Sequence, residues 1–276
     1  MLRAKLARVL CIAALGAVCI SCATLPVEGE VFSTRLEDRD PHHTILILFN
    51  HGYAADKATT FKAVFPPILQ MVADRNADVV LFAQVRNMAA LQRDDHRRLI
   101  EAAIAWFHRT YRIPVENIIL AGQSCGGWGS LQAAAFTYPE IGGVIAFAPI
   151  CHGHRVQQSS WGDTQRYQEI GDLARLLQSP ALIFLYEGDS FYKPEDWKAF
   201  AAHVRESPQI HLVMLDNATV LQVCPRCGRD SHGAANTEAF AKAYLQPHVQ
   251  AMIDAVRART RAERSASAQT LIACGQ

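Results

Sequence analysis

The chain has 276 residues, of which 50% are hydrophobic and 19% are charged, and its 27 Lys and Arg nearly balance its 26 Asp and Glu. This composition excludes an intrinsically disordered, collagen-like or coiled-coil protein. The net charge of +1 gives no indication of a nucleic-acid partner. At this length a single α/β domain can contain the whole core.

Residues 1–22 have the pattern of a bacterial secretory signal peptide. Positive charges at Arg3, Lys5 and Arg8 precede an uncharged apolar run over 9–20. The run is too short to cross about 30 Å of hydrocarbon, and no later segment is long and apolar enough, so we expect no permanent transmembrane span. The sequence therefore predicts an exported protein.

Two processing routes fit the residues after this run. Ser21 precedes Cys22 as in a relaxed lipobox, which predicts a lipid anchor on Cys22 and a location in the periplasm or at the outer surface of the cell envelope. The usual Leu is absent three positions before Cys22, where Cys19 lies. The alternative is cleavage after Ala23 at a small-x-small site, which would release an unmodified chain that begins at Thr24.

Export also determines how the cysteines are interpreted. Outside the leader and Cys22, the chain contains Cys125, Cys151, Cys224, Cys227 and Cys274. In an oxidising compartment the C-P-R-C segment from Cys224 to Cys227 predicts a small disulfide loop, and the odd number of cysteines leaves at least one thiol free. A lone C-x-x-C is weak evidence for zinc, which His152 and His154 could ligate only if the fold brought them near. We therefore predict neither a metal nor a cofactor.

After the leader, short apolar runs alternate with segments of helical period. The runs that predict strands lie at 44–49, 78–82, 117–120, 143–148, 181–186 and 209–215. The segments that predict helices lie at 61–74, 93–111, 127–138, 169–177, 195–205 and 233–257. Most strand candidates are apolar on both faces, as in a sheet that helices cover on both sides. The alternation predicts an α/β fold with a single, mainly parallel sheet.

The same pattern predicts the domain organisation. A short N-terminal segment, 23–40, leads into one domain over 41–257. Polar residues over 150–179 interrupt the alternation and predict a lid-like insertion above the site. From about Val256 the apolar period is lost, so 258–276 is predicted to be a mobile tail.

A nucleophile motif follows the strand candidate 117–120. Gly122, Ser124 and Gly126 form G-x-S-x-G between that strand and the next helix. A serine at such a strand-to-helix turn needs small residues two positions before and after it, because the strained turn is crowded. The motif alone recurs by chance as a glycine-rich turn, but its position between a strand and a helix predicts that Ser124 is a nucleophile.

A nucleophilic serine needs a base, and the base needs an orienting carboxylate. Asp189 lies just after the strand candidate 181–186, and His232 precedes the last helix, which gives the chain order Ser, acid, His. The alternative acids are Glu187 as the runner-up, then Asp163 and Asp216. The histidines on predicted strands or helices, which are interpreted as structural, are His108, His203, His211 and His248.

Acyl transfer also needs two backbone N–H groups directed at the substrate oxygen that becomes negative. We expect one from Cys125, directly after Ser124. The second is predicted at Tyr53, in the loop His51-Gly52-Tyr53 after the first strand candidate. A plain turn is the alternative interpretation of the His-Gly step.

Several aromatic residues and histidines follow the predicted strands and are candidates to line a substrate pocket. They are His51, Trp128, His152, His154, Trp161, Phe191, Tyr192 and Trp197. They indicate an apolar acyl or aromatic substrate, although aromatic residues at such positions pack in the core equally often.

The G-x-S-x-G turn, Asp189, His232 and the His-Gly step together resemble the α/β-hydrolase superfamily, above all its dienelactone-hydrolase-like and small esterase members. The resemblance covers about 44–257. It implies a parallel-rich sheet, a triad of Ser124, Asp189 and His232, and the oxyanion amides named above. Dienelactone hydrolases use cysteine as the nucleophile, whereas this chain has Ser124 with Cys125 beside it, so lactone specificity does not transfer.

The sequence therefore predicts an exported serine hydrolase that cleaves carboxylic esters through an acyl-enzyme. Peptidase, thioesterase and acyltransferase activities are alternatives, because one triad serves them all. Two further alternatives are a surface lipoprotein that uses a hydrolase fold only for binding, and thiol chemistry at Cys125 or at the Cys224 and Cys227 pair. The expected partners are a small-molecule ester or acyl substrate and, through the lipid anchor, a membrane.

Overall fold

The computed structural model describes residues 27–32, 36–52, 65–86, 93–151, 160–192, 194–205 and 207–274. The predicted leader, the lipidation site Cys22, the oxyanion candidate Tyr53, and His152 and His154 lie outside these ranges.

A single sheet forms the centre of the fold. Its strands are β1 (Glu28–Val31), β2 (Ile45–Asn50), β3 (Val79–Val85), β4 (Ile118–Gln123), β5 (Gly143–Phe147), β6 (Ala181–Tyr186) and β7 (Ile210–Leu215). The seven strands lie in the order β1-β3-β2-β4-β5-β6-β7. β1 pairs antiparallel with β3, and every other pairing is parallel. The predicted α/β fold with a mainly parallel sheet is confirmed.

The central strands are buried on both faces, which explains their apolar runs. Every residue of β2, β5 and β6 is buried. β7 at the sheet edge instead exposes part of its length, including His211 and Met214. A parallel sheet that helices cover on both sides removes the need for polar alternation, so the sequence contains almost continuous Val, Ile, Leu and Phe there.

Helices connect the strands and cover the sheet. They are α1 (Pro67–Arg75), α2 (Arg93–Tyr111), α3 (Cys125–Phe136), α4 (Ser160–Leu176), α5 (Lys198–Val204), α6 (Asn217–Val223), α7 (Glu238–Tyr244) and α8 (Ala251–Cys274). α2 has the predicted bounds. α4 begins earlier than the predicted helix 169–177, and 152–159 before it lie outside the described residues. No helix among the described residues is long and apolar enough to cross a bilayer.

The predicted helix 233–257 is in fact several elements. A short 3-10 turn, Ala234–Asn236, precedes α7, and a π-helical segment, Leu245–Gln250, joins α7 to α8. The interruption has a local cause, because the Thr237 side chain accepts a hydrogen bond from the Phe240 amide and so caps a new helix. A single apolar period extends across these elements, so the sequence pattern does not reveal the break.

The helix boundary predicted near residue 257 is wrong, because α8 continues to Cys274. Polar contacts hold its continuation. The Arg259 guanidinium donates to the carbonyl oxygens of Glu116, at 2.9 Å, and Gly142, at 3.2 Å. Thr260 donates to the side chain of Asn117, at 2.8 Å. An apolar period cannot signal contacts of this kind.

Two elements have no strong sequence pattern. All four residues of β1 are exposed, because it adds to the edge of the sheet through its backbone. α6 begins where the Asp216 carboxylate accepts a hydrogen bond from the Thr219 amide, at 2.7 Å. Both depend on polar contacts rather than on apolar periodicity.

The parallel arrangement brings the loops that follow β2, β4, β6 and β7 to one edge of the sheet. The loops after β2, β4 and β6 carry His51, Ser124 and Asp189 respectively, and His232 lies further along the connection that follows β7, between α6 and α7. In open α/β sheets the crevice outside the carboxyl ends of the strands is where ligands bind.

Candidate active site

Ser124 lies in the turn between β4 and α3, as the G-x-S-x-G motif predicts. Its backbone has φ 54° and ψ −126°, a region that residues other than glycine rarely adopt. The Ser124 amide donates to the carbonyl of Phe147 at 3.0 Å, and the Ser124 carbonyl accepts the Trp128 amide at 2.9 Å. The turn is therefore fixed by β5 on one side and by the first turn of α3 on the other.

The two motif glycines allow this turn to pack tightly. A Cβ atom on Gly122 would lie 2.5 Å from the carbonyl oxygen of Gly126 and 2.5 Å from the amide nitrogen of Gly127. A Cβ atom on Gly126 would overlap the carbonyl oxygen of Asn50 and lie 2.6 Å from that of His51. Glycine is thus required for close backbone approach at both positions, between β4 and α3 and between α3 and the loop after β2.

Asp189 and His232 form a buried hydrogen-bonded pair. The His232 Nδ1 atom lies 2.7 Å from Asp189 Oδ2. The Asp189 side chain is fully buried and that of His232 is 15% exposed. The other Asp189 oxygen accepts the Phe191 amide at 2.8 Å. An ionised carboxylate can only accept here, so Nδ1 carries the proton and Nε2 is the basic nitrogen of the ring.

Asp230, which has no motif of its own, joins the loops that carry this pair. Its Oδ1 atom accepts the amides of Ser190 and His232, each at 3.1 Å, and its Oδ2 atom accepts the Ser190 hydroxyl at 2.7 Å. Burial raises the pKa of the Asp230 carboxyl, but the hydrogen bonds from Ser190 and His232 outweigh burial and lower the pKa below its ordinary value. The Ser231 amide also donates to the Gly188 carbonyl, at 3.1 Å.

Gln123 connects the Ser124 turn to the loop that carries His232. It directly precedes Ser124, and its Nε2 atom donates to the carbonyl oxygen of His232 at 3.2 Å. Its Oε1 atom accepts the Asn236 amide group at 3.3 Å. The structure therefore brings Ser124, Asp189 and His232 to the same edge of the sheet and links their loops.

The His-Gly step after β2 lies against Ser124. A Cβ atom on Gly52 would be 3.1 Å from the Cβ atom of Ser124. His51 is buried, and its Nδ1 atom donates to the Gly52 carbonyl at 2.7 Å while its Nε2 atom accepts the Arg86 amide at 3.0 Å. The buried Arg86 guanidinium also donates to the His51 carbonyl. His51 therefore supports the loop rather than lining a pocket.

Burial sets the charge of these two side chains. Burial and, to a smaller extent, the neighbouring Arg86 charge together lower the pKa of His51 to about 4. Burial also lowers the pKa of Arg86 to about 9. At neutral pH His51 is therefore neutral and Arg86 is a cation directed at the loop after β2.

Two disulfides are present near the site. Cys224 bonds to Cys227, as the C-P-R-C segment predicts. Cys125 bonds to Cys151, with their Cα atoms 4.3 Å apart, a pairing that the sequence interpretation missed. Cys125 follows β4 and Cys151 follows β5, and adjacent parallel strands end side by side. Neither pair is available as thiols for the chemistry considered as an alternative.

Most of the predicted pocket aromatics belong to the core. Trp128, Tyr192 and Trp197 are at most 3% exposed, and the rings of Trp128 and Trp197 pack edge to face with centroids 6.1 Å apart. This corrects their assignment to a pocket, because buried rings cannot contact a substrate. Phe191 packs on the His232 ring at 4.4 Å. The side chain of Trp161 is not among those described.

The alternative acids and bases have other contacts. Glu187 is exposed and accepts the Asn217 amide at 2.9 Å, and Asp216 caps α6. The side chain of Asp163 is not among those described. His108 bonds through Nδ1 to the Ile113 carbonyl at 2.9 Å. Within the described part of the chain, no group of three or more His, Cys, Asp or Glu is placed to hold a metal ion.

Comparisons with known proteins show the fold. No family model and no curated protein matches the sequence. A monoacylglycerol lipase from Paleococcus ferrophilus superposes with a TM-score of 0.54 at 12% identity, over 83% of this chain and 99% of that one. A propionate-bound thermophilic esterase from the Planctomycetes species Thermogutta terrifontis has a TM-score of 0.52 at 15% identity, over 81% of this chain and 90% of that one.

A third similar structure is Est1E from Butyrivibrio proteoclasticus with bound ferulic acid, with a TM-score of 0.50 at 15% identity, over 69% of this chain and 85% of that one. The sequence identities are low, so the likeness concerns architecture alone. Together with the mainly parallel seven-stranded sheet, these superpositions show that the chain has the α/β-hydrolase fold.

Proposed function

We propose that this protein is an exported serine hydrolase that cleaves carboxylic esters. The observation that carries the proposal is Ser124 in a strained strand-to-helix turn whose flanking residue Gln123 bonds to the loop of a buried Asp189–His232 pair. Nucleophile, acid and base then follow one another in the chain order typical of α/β-hydrolases.

In the proposed reaction the Ser124 hydroxyl attacks the ester carbonyl carbon while His232 Nε2 takes its proton. Asp189 keeps His232 in the tautomer with the proton on Nδ1 and stabilises the imidazolium that forms. His232 then donates a proton to the leaving alcohol. Water attacks the acyl-enzyme with the same base, which releases a carboxylic acid and restores Ser124.

The negative oxygen of the tetrahedral intermediate needs preorganised donors. The Cys125 amide, at the amino terminus of α3, is the first proposed donor, and the helix dipole there favours negative charge. The loop after β2 supplies the second proposed donor at Tyr53. Gly52 lies against Ser124, and the Arg86 guanidinium donates a hydrogen bond to the His51 carbonyl, so the His51–Gly52 step is held next to Ser124.

Ester hydrolysis is the activity that the comparisons favour. The similar proteins include an esterase and a monoacylglycerol lipase. Two of the similar structures carry propionate and ferulic acid. Both molecules are carboxylic acids, the class of product that ester hydrolysis releases.

A fluorophosphonate probe, which reacts with activated serines, tests the proposal. We expect the wild-type protein to be labelled and to hydrolyse aryl esters, and Ser124→Ala to lose both properties. Ser265→Ala is the matched control, because Ser265 is exposed on α8 and its hydroxyl donates a local hydrogen bond to the Arg261 carbonyl. Equal labelling of Ser124→Ala, or neither labelling nor turnover of an aryl ester series by the wild type, would overturn the assignment.

Export and lipidation of Cys22 form part of the proposal. The charged and apolar leader supports export, and so do the two disulfides, because such bonds persist in oxidising compartments. Mass spectrometry of the mature protein should find a diacylglyceryl group on Cys22, and Cys22→Ala should release the protein from membranes. An unmodified N-terminus at Thr24 would exclude the lipid anchor and leave the soluble processing route.

A further inference from the structure

The Cys125–Cys151 disulfide lies directly beside the proposed nucleophile. Cys125 is the residue after Ser124 and the first residue of α3, and it is 6% exposed. The disulfide joins it to Cys151, which is 26 positions further along the chain and partly exposed. It therefore connects the start of the nucleophile helix to the segment that leaves β5.

That segment also contacts Ser124 through hydrogen bonds. The Ile150 amide donates to the Ser124 carbonyl at 3.3 Å, and the Ser124 hydroxyl donates to the Ile150 carbonyl at 3.4 Å. Ile150 is buried and is the residue before Cys151. The disulfide thus joins the residue that follows Ser124 to the residue that follows Ile150, and Ile150 is the hydrogen-bond partner of Ser124.

The two hydrogen bonds alone would hold this segment weakly, because both are longer than hydrogen bonds of their kind usually are. The backbone before it is also unusual. Ala148 has φ 46° and donates its amide to the Phe184 carbonyl at 3.0 Å. The disulfide adds a covalent restraint at the point where the chain passes the nucleophile turn.

We propose that the Cys125–Cys151 disulfide is a positioning element of the ester-hydrolysis site, and that its reduction slows turnover while the domain remains folded. The inference rests on the proposed function. The Cys125 amide is the proposed oxyanion donor, and the Ile150 carbonyl accepts the Ser124 hydroxyl in the resting state. Loss of the bond would let both groups shift by the fractions of an ångström that matter for transition-state stabilisation.

Reduction requires a thiol co-reactant, for which we name a dithiol. A thiolate of the dithiol attacks the more exposed Cys151 sulfur, the S–S bond breaks, and the Cys125 sulfur leaves as a thiolate that takes up a proton. The second thiol of the reagent then displaces Cys151 and forms a cyclic disulfide. The protein gains two electrons and two protons, and the dithiol loses the same.

The domain should remain folded, because its sheet does not depend on this bond. Backbone hydrogen bonds join β5, the strand before Cys151, to β4 on one side and to β6 on the other. The core residues next to the disulfide, Trp128, Phe147 and Ile150, are buried by neighbouring strands and helices. A purely structural disulfide would therefore change unfolding temperature without changing kcat, and this separates the two roles.

The test uses the second disulfide to isolate the first. In a Cys224→Ser/Cys227→Ser background only Cys125–Cys151 remains among the disulfides described. We expect dithiol treatment of this protein to lower kcat about tenfold with little change in KM, since an oxyanion donor acts in the transition state. Cys125→Ala/Cys151→Ala should show the same low kcat without reductant and no further response to it.

Circular dichroism and fluorophosphonate labelling accompany these measurements. Unchanged kcat after verified reduction, or a Cys125→Ala/Cys151→Ala variant as active as the wild type, would overturn the inference. Should that variant fail to fold, the dithiol-treated protein alone decides. A wild-type protein that labels at Ser124 but ignores the dithiol overturns only this inference, whereas absence of labelling and turnover overturns the proposed function itself.

Discussion

The loop after β6 and the segment between α6 and α7 hold Asp189 and His232 through hydrogen bonds to carboxylates, whereas the turn after β4 holds Ser124 through backbone contacts and a disulfide. In the first region, which we call the acid–base half, Asp189 and Asp230 accept hydrogen bonds from side chains and backbone amides. In the second, the nucleophile half, Gly122 and Gly126 leave no space for a Cβ atom.

The difference predicts which changes each half tolerates. Removal of a charge should disturb the acid–base half, because its geometry depends on ionised acceptors. Added volume or a lost covalent bond should disturb the nucleophile half, because its neighbours are backbone atoms that cannot move aside. A substitution that removes only a charge should therefore disturb the acid–base half alone, and one that adds only volume should disturb the nucleophile half alone.

The largest expected effect comes from neutralising the acid. Asp189→Asn keeps the size of the side chain but removes the charge that fixes the His232 tautomer, so kcat should fall about 10⁴-fold. Glu187→Gln is the matched control, because the exposed Glu187 carboxylate accepts the Asn217 amide and has no described contact with His232, and its kcat should stay close to that of the wild type. Steady-state kinetics on one aryl ester compares the two, and a larger loss in Glu187→Gln would reassign the acid.

The nucleophile half should fail when volume is added. In Gly126→Ala the new methyl group would overlap the Asn50 carbonyl, so the free energy of unfolding should fall by more than about 4 kcal/mol or the protein should not fold. Gly171→Ala is the control, because no described atom beyond its own helical backbone lies within 4 Å of the added Cβ atom, and α4 should gain at most about 1 kcal/mol. Urea unfolding measures both, and equal stabilities would refute the close-packing argument.

The sequence predicted the parts of the molecule that repeat a simple pattern. Apolar runs located six of the strands, and strand β6 has the predicted bounds. The G-x-S-x-G motif located the strained turn at Ser124, because the glycines that it needs are visible as letters. The order of residues after the strands placed Asp189 and His232 at one sheet edge, where the structure pairs them.

The contacts that the sequence did not predict are specific and long-range. Cys125 and Cys151 pair because β4 and β5 are neighbours, a fact of topology rather than of spacing. Asp230 is two residues from His232, but only the fold brings Ser190 to it. Arg86 follows β3 and reaches His51 after β2, so no local pattern joins them. The sequence order of the strands hides such neighbours until their spatial order is known.

The pH dependence of stability tests the support of the loop after β2. The unfolded chain protonates His51 near its ordinary pKa of 6.5, whereas burial delays protonation in the folded protein to about 4. The free energy of unfolding should therefore fall by about 3 kcal/mol as the pH falls from 6.5 to 4, with no contribution from this residue at higher pH. Urea unfolding across this range should show a shallower fall for His51→Gln than for the wild type. Parallel curves would exclude His51 as the cause.

The smallest expected effect concerns Asp230, whose carboxylate accepts hydrogen bonds from both loops of the acid–base half. In Asp230→Ala the amides of Ser190 and His232 lose their acceptor, so kcat should fall about tenfold. The free energy of unfolding should fall by only about 1 to 2 kcal/mol, because Asp230 is partly exposed and water screens its charge. Asp230→Asn keeps an oxygen for both amides and lacks only the charge, so its kcat should lie between those of Asp230→Ala and the wild type. Asp216→Ala is the control, because it also removes an acceptor of a backbone amide, that of Thr219, but outside these loops. Asp216→Ala should lower the free energy of unfolding and leave kcat unchanged. If Asp216→Ala lost as much kcat as Asp230→Ala, the loss would come from general destabilisation and not from the position of the two loops.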